Sequence, residues 1–424
     1  MATTTIQTPN LIQPVYNPII FQVQSNFSTE TGFKYVFEIH DKDGIISTKR
    51  VFPFPNEDGR IDVSMFVREG LSYDKTYKNT GIYSVGNSLK VYNLYIGEDS
   101  SVPQTPSSTG RRWCFNGVFN RKGTAENFNW LEYIMTSVNE GKFLTNSPTN
   151  VDVYLSDYYS LNFFNGQFML GSPFGASFVS DVKYIGFRTF DKETGNPSST
   201  YVYTNPDQGY SPPSGLNNVD DQLKGVGVGP RQLNSTPYTI IASGSYPADP
   251  NLINETHTHY EVWGMNDSLQ QTSQRWTFNI LTEQPKYTKH QITFLNRLGG
   301  WSYFTFDQKT FEETKIKKDS FKQQNYYEVG TNTWGTTFDR RGESIFNVEV
   351  EKEITFNSRF IDQPTFDFME ELLTSPAVYL LDETLGAVPL IITDSNWFNL
   401  KKENQKEIRF SIKTKMSNKI NINI

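Results

Sequence analysis

The pair His257 and His259 could bind a metal ion, because residues two apart on a strand share a face. Glu255 and Glu261 have the same parity, so four potential ligands would line that face. A metal site needs at least three ligands, each oriented by further hydrogen bonds. No metal-binding motif includes this pair of histidines. We therefore expect a polar strand face and no bound metal.

Two glycine-containing runs superficially resemble ligand-binding loops. Residues 225–230 (GVGVGP) lack the Lys-Ser/Thr of a P-loop and the spacing of a dinucleotide fingerprint. Because Pro230 also argues against a helix that starts there, we expect a flexible surface loop. Residues 41–44 (DKDG) resemble the beginning of a calcium loop, but the later ligands are absent and a hairpin turn explains them better.

Glu349, Glu351 and Glu353 form a row of carboxylates on one strand face. General acid–base catalysis uses two carboxylates in different environments that face each other across a substrate. Three neighbours on one face are typical of a solvated surface, or of a surface that receives a basic strand. Cys114 is the only cysteine and lies in no recognisable catalytic motif. The sequence therefore predicts no catalytic residue, no cofactor and no enzymatic activity.

The composition is that of a folded and weakly acidic protein. The 424 residues include 39 Lys or Arg and 46 Asp or Glu, and 15% of them are aromatic. The aromatic content excludes a disordered chain, and the net charge of -7 makes a nucleic-acid partner unexpected. No apolar run approaches the roughly 18 residues of a membrane span, and the first ten residues do not resemble a secretory signal. We expect neither membrane insertion nor secretion.

Alternation of apolar and polar residues is the dominant local pattern, and it has the period of a half-buried strand. It occurs over residues 33–39 and 45–52, and the Asp-Gly turn between them predicts a hairpin. It recurs over residues 276–280 and 346–356. Strands rich in Phe, Tyr, Val and Thr predict a mainly β protein, built from β-sandwich-like or barrel-like modules with a few short helices.

Helix signals are few. Residues 126–138 and 362–375 place apolar residues three or four apart, and Asp362 with Pro364 would begin the second helix. Residues 61–70 give a weaker signal.

The length and the breaks in pattern predict three domains. They are an N-terminal β-sandwich-like domain (1–145), a central β domain (146–285) and a C-terminal β domain (286–424). The stretches 100–110 and 196–230 are rich in Ser, Pro, Gly or Asn, so we expect linkers or long surface loops there.

The C-terminal segment combines basic charge with a long alternating pattern. Residues 401–424 carry a net charge of +5. The apolar residues of the alternating part have even numbers: Ile408, Phe410, Ile412, Met416, Ile420, Ile422 and Ile424. A strand over residues 408–424 would span about 56 Å at roughly 3.3 Å per residue. Because this exceeds ordinary strands, we expect a bend or break near residues 414–418.

The same strand is the candidate interface of the chain. An unpaired edge of this kind would invite aggregation, so we expect a neighbouring molecule to cover it. The expected interface residues are Ile408, Phe410, Ile412, Ile420, Ile422 and Ile424. An internal hairpin within the C-terminal domain is the alternative. The basic tail could also dock on the acidic body of another copy, or form a solvated strand.

Several stretches resemble the virion structural proteins of tailed phages that infect Bacteroidota, including crAss-like phages. The stretches are 14–21 (PVYNPIIF), 33–39 (FKYVFEI), 59–64 (GRIDVS), 66–68 (FVR), 143–148 (FLTNSP), 294–304 (FLNRLGGWSYF) and 371–379 (ELLTSPAVY). Together they are distributed over most of the chain.

The resemblance implies β-sandwich modules that form a ring in the neck, tail hub or baseplate of a virion. It implies a six- or twelve-fold homo-oligomer that docks to other phage tail or neck proteins, and it provides no catalytic residue. The chain would be made in the host cytoplasm and reside in the virion. A receptor- or carbohydrate-binding module of the tail, with exposed Trp and Tyr as stacking groups, is the alternative function. A glycan-active enzyme would instead require two carboxylates facing each other across a cleft.

Overall fold

The computed structural model describes eleven ranges of the chain. They are residues 3–100, 104–118, 128–169, 177–208, 221–241, 243–281, 286–322, 326–336, 343–393, 408–417 and 420–423. Strands dominate these ranges, helices are few and short, and the strands form several sheets. The predicted mainly β class is therefore confirmed.

Twenty described strands precede residue 285. They are β1 (Thr3–Gln7), β2 (Ile12–Pro14), β3 (Ile20–Ser25), β4 (Lys34–Asp41), β5 (Gly44–Val51), β6 (Asp58–Asp62), β7 (Ile82–Ser84), β8 (Leu89–Asp99), β9 (Gln104–Phe115), β10 (Asn150–Val153), β11 (Ser160–Phe164), β12 (Gly166–Met169), β13 (Ser177–Ser180), β14 (Tyr184–Asp191), β15 (Tyr201–Thr204), β16 (Leu223–Gly227), β17 (Tyr238–Ile240), β18 (Gly244–Tyr246), β19 (His257–Met265) and β20 (Trp276–Ile280).

Ten described strands follow. They are β21 (His290–Leu295), β22 (Trp301–Phe306), β23 (Phe311–Lys322), β24 (Tyr326–Gly330), β25 (Thr333–Thr336), β26 (Glu343–Ile361), β27 (Val378–Asp382), β28 (Gly386–Ile392), β29 (Ile408–Met416) and β30 (Ile420–Asn423). The α-helices are α1 (Ser64–Val67), α2 (Pro230–Leu233) and α3 (Gln363–Thr374), and the 3-10 turns are Gly86–Ser88 and Trp130–Tyr133.

The chain divides into two compact units. The first comprises Met1–Gln284 and Leu295–Tyr303, and the second comprises Pro285–Phe294 and Phe304–Ile424. The expected boundary at 285/286 thus lies next to the division between the units. The expected boundary at 145/146 lies inside the first unit.

Two sheets of the first unit face each other as a β-sandwich. One has the order β1-β3-β6, and the other has the order β2-β9-β8-β4-β5. Phe21 from the first sheet and Tyr35, Phe37 and Leu94 from the second are fully buried in one core cluster. The predicted hairpin is present as β4 and β5, which are paired antiparallel.

A second core of the first unit explains why no boundary appears near residue 145. Val91 and Trp113, from the expected N-terminal domain, share a cluster with Phe164 and Leu223 from the expected central domain. The Trp113 indole also donates a hydrogen bond to Gln222 Oε1 at 2.8 Å. The two segments therefore build one core together.

The remaining large sheet of the first unit has seven strands in the order β10-β20-β19-β14-β15-β17-β18. Its neighbours are antiparallel except for β10 and β20. Tyr260 and Trp276 are buried on one face, whereas Arg188 and Glu261 lie on the other. The alternation in 276–280 thus predicted both the strand and its buried face.

One sheet dominates the second unit. It has the order β22-β21-β27-β28-β29-β26-β23, and β30 also pairs with β26. Helix α3 contributes Phe366, Phe368, Met369 and Leu372 to a core cluster shared with this sheet.

The prediction of a helix over 362–375 is confirmed by α3. The Asp362 side chain accepts a hydrogen bond from Thr365 N at 3.0 Å and so caps the first turn. Pro364 lies in that turn, where its missing N–H costs nothing, and Pro376 follows the end of the helix. The weaker signal over 61–70 corresponds to the single turn of α1.

The predicted helix over 126–138 is wrong across its described part. Only the 3-10 turn Trp130–Tyr133 forms, and Leu131 and Val138 are exposed rather than on a buried face. The Asn139 side-chain amide donates to the carbonyls of Leu131 and Ile134. These carbonyls are thus taken by a side chain and not by a continuing helix. Residues 126 and 127 lie outside the described residues.

The expected flexible loop at 225–230 is also wrong. Residues 225–227 belong to the buried strand β16, and Pro230 begins α2 as its first residue. A Cβ at Gly225 would lie 2.4 Å from the Tyr83 ring, and one at Gly227 would lie 2.4 Å from the Asn79 carbonyl. These glycines are therefore explained by close packing and not by ligand binding.

The two expected loop stretches contain regular structure. Residues 104–110 belong to β9, which pairs with β8, and the stretch 196–230 contains β15 and β16. Residues 101–103 and 209–220 lie outside the described residues. Turn-forming composition therefore overestimated the loops here, because Ser and Thr also fit strand positions.

Candidate assembly surface

A long exposed ribbon leaves the core of the second unit. We define the arm as β23, residues 343–352 of β26, and β30. Strands β23 and β26 pair antiparallel from Phe311↔Thr355 to Lys322↔Glu343. Twelve residues at roughly 3.3 Å each make the arm about 40 Å long. Every residue of β23 except Asp319 is exposed, and residues 343–352 include no buried residue.

One face of the arm carries apolar residues in line with the core face of the sheet, together with the charged Lys318 and Lys352. The cross-strand register aligns Ile316 with Val350, and Val350 with Ile420. It also aligns Val348 with Ile422. Ile316 is 59% exposed, whereas Ile354, on the same face and closer to the core, is only 6% exposed. The apolar residues of this face therefore continue from the part of the sheet that the core covers into a part that is exposed.

The opposite face of the arm is a charged ladder built on the predicted glutamate row. Glu353 forms ion pairs with Lys315 at 2.5 Å and with Lys413 at 2.8 Å. Glu351 pairs with Lys415 at 3.0 Å. The hydrogen bond from Lys315, together with the Lys413 ammonium, lowers the pKa of Glu353. The row thus receives a basic strand, which was one of the two interpretations of the sequence.

The lysines that meet this row come partly from the basic C-terminal segment. Lys413 and Lys415 lie on β29, which is hydrogen-bonded to β26 of the same chain. This part of the tail therefore docks on glutamates of its own chain.

The expected break of the C-terminal strand is present. Strand β29 ends at Met416, and Ser417 lies outside any strand, so the strand ends within the expected region 414–418.

The six expected interface residues fall into two groups. Phe410 and Ile412 are buried in the core cluster of the second unit, and Ile408 packs against it. These three residues lie on β29, which pairs with β26 and with β28 inside the second unit. Ile420 and Ile422 lie on the arm at the register positions of Val350 and Val348, and their role as contact residues stays a prediction. Ile424 lies outside the described residues.

The histidine pair does not assemble a ligand set. Glu261 accepts from Arg188 at 2.9 Å and from Arg275 at 2.9 Å, so two guanidinium groups occupy its carboxylate. The His259 ring stacks on Phe190 with centroids 4.3 Å apart. Partial burial lowers the pKa of His257 despite the nearby Asp191 carboxylate. This strand face is polar and internally paired.

Cys114 lies in the core of the N-terminal sandwich. Burial raises the pKa of its thiol to about 12. Because the thiolate is the nucleophilic form, this cysteine is chemically inert at neutral pH.

A row of aromatic rings crosses the edge of the seven-stranded sheet. Phe187 stacks on Tyr201 at 5.3 Å, Tyr201 meets Tyr238 edge to face at 5.2 Å, and Tyr238 stacks on Tyr246 at 5.7 Å. Tyr246 is 38% exposed at the end of the row. The rings contact one another, so neighbouring rings occupy much of the face area that a sugar would need.

The first unit has its own exposed apolar residues. Phe52, Phe54 and Tyr16 are exposed, and a cation lies over each ring. The distances from cation to ring centroid are 4.9 Å for Lys34 over Phe52, 5.3 Å for Arg60 over Phe54 and 5.5 Å for Arg68 over Tyr16. Met65 is more exposed still, at 74%. Aromatic and basic residues of this kind are enriched in protein interfaces.

Strand β23 is the part of the surface that the sequence analysis missed. Its sequence FEETKIKKDSFK alternates only weakly because both of its faces are exposed. The signal that could have found it is the spacing of two acidic and two basic residues around Lys315.

The described residues contain no group of three or more His, Cys, Asp or Glu side chains that could hold a metal ion. Within the same residues, no helix has the length and apolar character needed to cross a membrane.

Comparison with known proteins adds no family assignment. No protein-family model matches the chain, and no curated protein matches it. Among solved structures, the chain is similar to one described as Dpr2 Ig1-Ig2 in complex with DIP-Theta Ig1-Ig3, with 9% identity. The match covers 67% of this chain and 100% of that chain, with a TM-score of 0.15. A score this low carries no argument about fold or function.

Proposed function

We propose that this chain is a structural component of a tailed-phage virion that forms a homo-oligomeric ring in the tail hub, baseplate or neck. In this proposal it also docks to other tail or neck proteins. The observation that carries the proposal is the arm, whose apolar face continues past the core of its unit. The sequence stretches that resemble phage structural proteins agree with it.

The physical argument starts from the cost of the uncovered face. A ribbon of two or three strands is only marginally stable in water unless something packs on its apolar face. Ile316, Val348 and Val350 lie on that face, and none of them belongs to the core cluster. Contiguous exposed apolar surface is typical of protein contact sites. In a permanent assembly, a neighbouring molecule would cover this face.

A ring requires a second surface, because its contacts join different patches of neighbouring copies. We propose that the exposed Phe52, Phe54 and Met65 of the first unit contribute to this second surface. They are chemically suited to meet an apolar partner and, through Lys34 and Arg60, an acidic one.

We propose no catalytic role. Glu351 and Glu353, two members of the carboxylate row, form ion pairs with lysines of the same sheet and do not face each other across a cleft. Purified protein should degrade neither host polysaccharide nor peptidoglycan. An activity that survives purification and disappears on substitution of one carboxylate would contradict this.

The alternative of a carbohydrate-binding module would place sugar stacking on Tyr238 and Tyr246. Because these two rings stack on each other, we favour the structural role. Glycan binding that is lost in Tyr246→Ala would reverse this preference.

The deciding experiment locates the protein in particles. Virions of a phage that encodes this chain are labelled with antibody against it, and we expect label at the tail or neck. Virions with Val350→Lys should lose the label, because the proposed contact would bury the charge of the new lysine and so oppose assembly. The matched control Leu385→Lys changes an exposed turn residue and should retain it. Wild-type virions without label would overturn the proposal.

A further inference from the structure

Strand β23 is an open edge of its sheet. It is the last strand in the sheet order and pairs with β26 on one side only, within the residues that the structure describes. Alternate residues of an edge strand direct their N–H and C=O groups away from the sheet. A long edge of this kind is a template for another strand. Eleven of its twelve residues are exposed and none is a proline or a glycine, so β23 is an unusually open template.

The charges along this edge are self-complementary. Glu312 and Glu313 precede Lys315, and Lys317 and Lys318 follow it at the mirrored distances. If a second β23 pairs antiparallel about a two-fold axis at Lys315, Glu312 of each copy faces Lys318 of the other. Glu313 likewise faces Lys317. Lys315 faces Lys315 of the other copy, and each of these ammonium groups is already paired with Glu353 of its own chain. An edge protected only by lysines would repel a second copy, whereas this edge places an acidic residue opposite each of these lysines.

The charges also discriminate between registers. A two-fold axis perpendicular to the sheet keeps each side chain on its own face, so the axis must pass through a residue position. An axis at Ile316 would oppose Lys315 to Lys317 and Glu313 to Asp319, which are like-charged. An axis at Lys317 would pair Lys315 with Asp319 and Glu312 with Lys322, but Lys322 lies beyond the register shift between Asp319 and Ser320. It would also leave Lys318 opposite Ile316. The axis at Lys315 alone matches both acidic residues with both following lysines.

We propose that two copies of this chain pair through their β23 edges, antiparallel and centred on Lys315, to form one continuous sheet. This contact is isologous, because the same surface is used by both copies. It goes beyond the proposed function, since a ring needs a different, heterologous contact. It would join chains or rings two at a time.

The test uses two charge reversals on the full-length chain, Glu312→Lys and Lys318→Glu. Both residues are exposed, and their neighbours on β26 are Ile354 and Val348, so neither change places like charges across that pair. Each variant alone opposes like charges twice in the pair. We expect the dissociation constant to rise by about tenfold or more in either variant. In an equimolar mixture, a Glu312→Lys chain faces a Lys318→Glu chain, and both contacts between positions 312 and 318 are complementary again.

The measurement is the molecular mass in solution by sedimentation. The wild type should have twice the mass of each variant, and the mixture should recover the wild-type mass. The twofold ratio of masses is expected whether the unpaired species is a monomer or a ring. Failure of the ring proposal can therefore be distinguished from failure of the pairing proposal. The controls Lys192→Glu and Glu193→Lys change exposed residues of a turn in the first unit and should leave the mass unchanged.

Three outcomes would overturn the proposal. A wild type with the same mass as both variants would show that the edges do not pair. A mixture that stays at the mass of the single variants would show that complementarity is not the cause. Loss of pairing in Glu312→Lys but not in Lys318→Glu would place the axis at Lys317 and contradict the register.

Discussion

The two halves of β26 share one pattern but lie in different environments. Residues 353–361 place Ile354 and Phe356 in the core of the second unit, against α3 and neighbouring strands. Residues 343–352 place Val348 and Val350 on the same face, but outside that core. Alternation therefore identifies which face of a strand is apolar. Whether that face is covered depends on a second layer, to which α3 contributes Phe366, Phe368, Met369 and Leu372.

The charged face shows the same contrast from the other side. Glu353 lies near the core and is held between Lys315 and Lys413. Farther along the arm, Glu349 has Lys317 and Asn421 as its register neighbours. Ion pairs of Glu353 therefore join the base of the arm to β23 and to β29.

Phe356→Ala tests the covered half and should have the largest effect. The ring is fully buried and lies 5.7 Å from Phe306 and 5.3 Å from His290. Removing it leaves a cavity, so the free energy of unfolding of the second unit should fall by about 3–5 kcal/mol. Urea denaturation followed by circular dichroism measures this.

Val350→Ala is the matched change on the arm. It should cost less than about 1 kcal/mol in the isolated chain, because the side chain is only half-buried there. Equal losses of unfolding free energy in Val350→Ala and Phe356→Ala would mean that the arm is as well covered as the core. That result would contradict the difference between the two halves of β26.

Glu353→Gln tests the base of the arm through pH. The pKa of Glu353 is lowered below its usual 4.5 in the folded chain. A carboxylate of this kind stabilises the fold above its unfolded pKa, and the stabilisation is lost as the pH falls through the folded pKa. The wild-type denaturation midpoint of the second unit should therefore decrease between about pH 5 and pH 3. Glu353→Gln should lower the midpoint at neutral pH and reduce that decrease.

The control for this pH profile is Glu255→Gln, an exposed carboxylate in a turn of the first unit. It should leave the profile of the second unit unchanged. If Glu353→Gln titrates like the wild type, the lysine pairs do not contribute to the acid sensitivity of the arm.

The sequence predicts the elements on which this contrast rests, but it does not predict which apolar residues are buried and which are exposed. Asp362 and Pro364 predicted α3, and the alternation over 346–356 predicted β26, because caps and periodicity are local signals. The burial of Phe410 and the exposure of Ile316 were not predictable from local pattern. Both are apolar residues of strands, and their difference depends on which distant elements pack on them.

The same limit explains the errors in the first unit. Residues 225–230 have a loop-like composition, yet Tyr83 and Asn79 pack so closely that only glycine fits. Those neighbours are more than 140 residues away in sequence. Residues 126–138 have helical spacing, but the Asn139 side chain captures two carbonyls that a helix would use. In each case a specific contact outweighed the local propensity.

Ile316→Thr should have the smallest effect on stability and therefore sharpens the comparison most. Threonine retains the β-branched shape that suits a strand, and the site is 59% exposed, so the free energy of unfolding should change by less than about 0.5 kcal/mol. Denaturation of the dilute chain measures this value. A loss above about 1.5 kcal/mol would mean that something already buries Ile316 in a single chain, since only a desolvated methyl group costs that much. The arm would then be a folded part of its own core, and its apolar face would not be available to a neighbour.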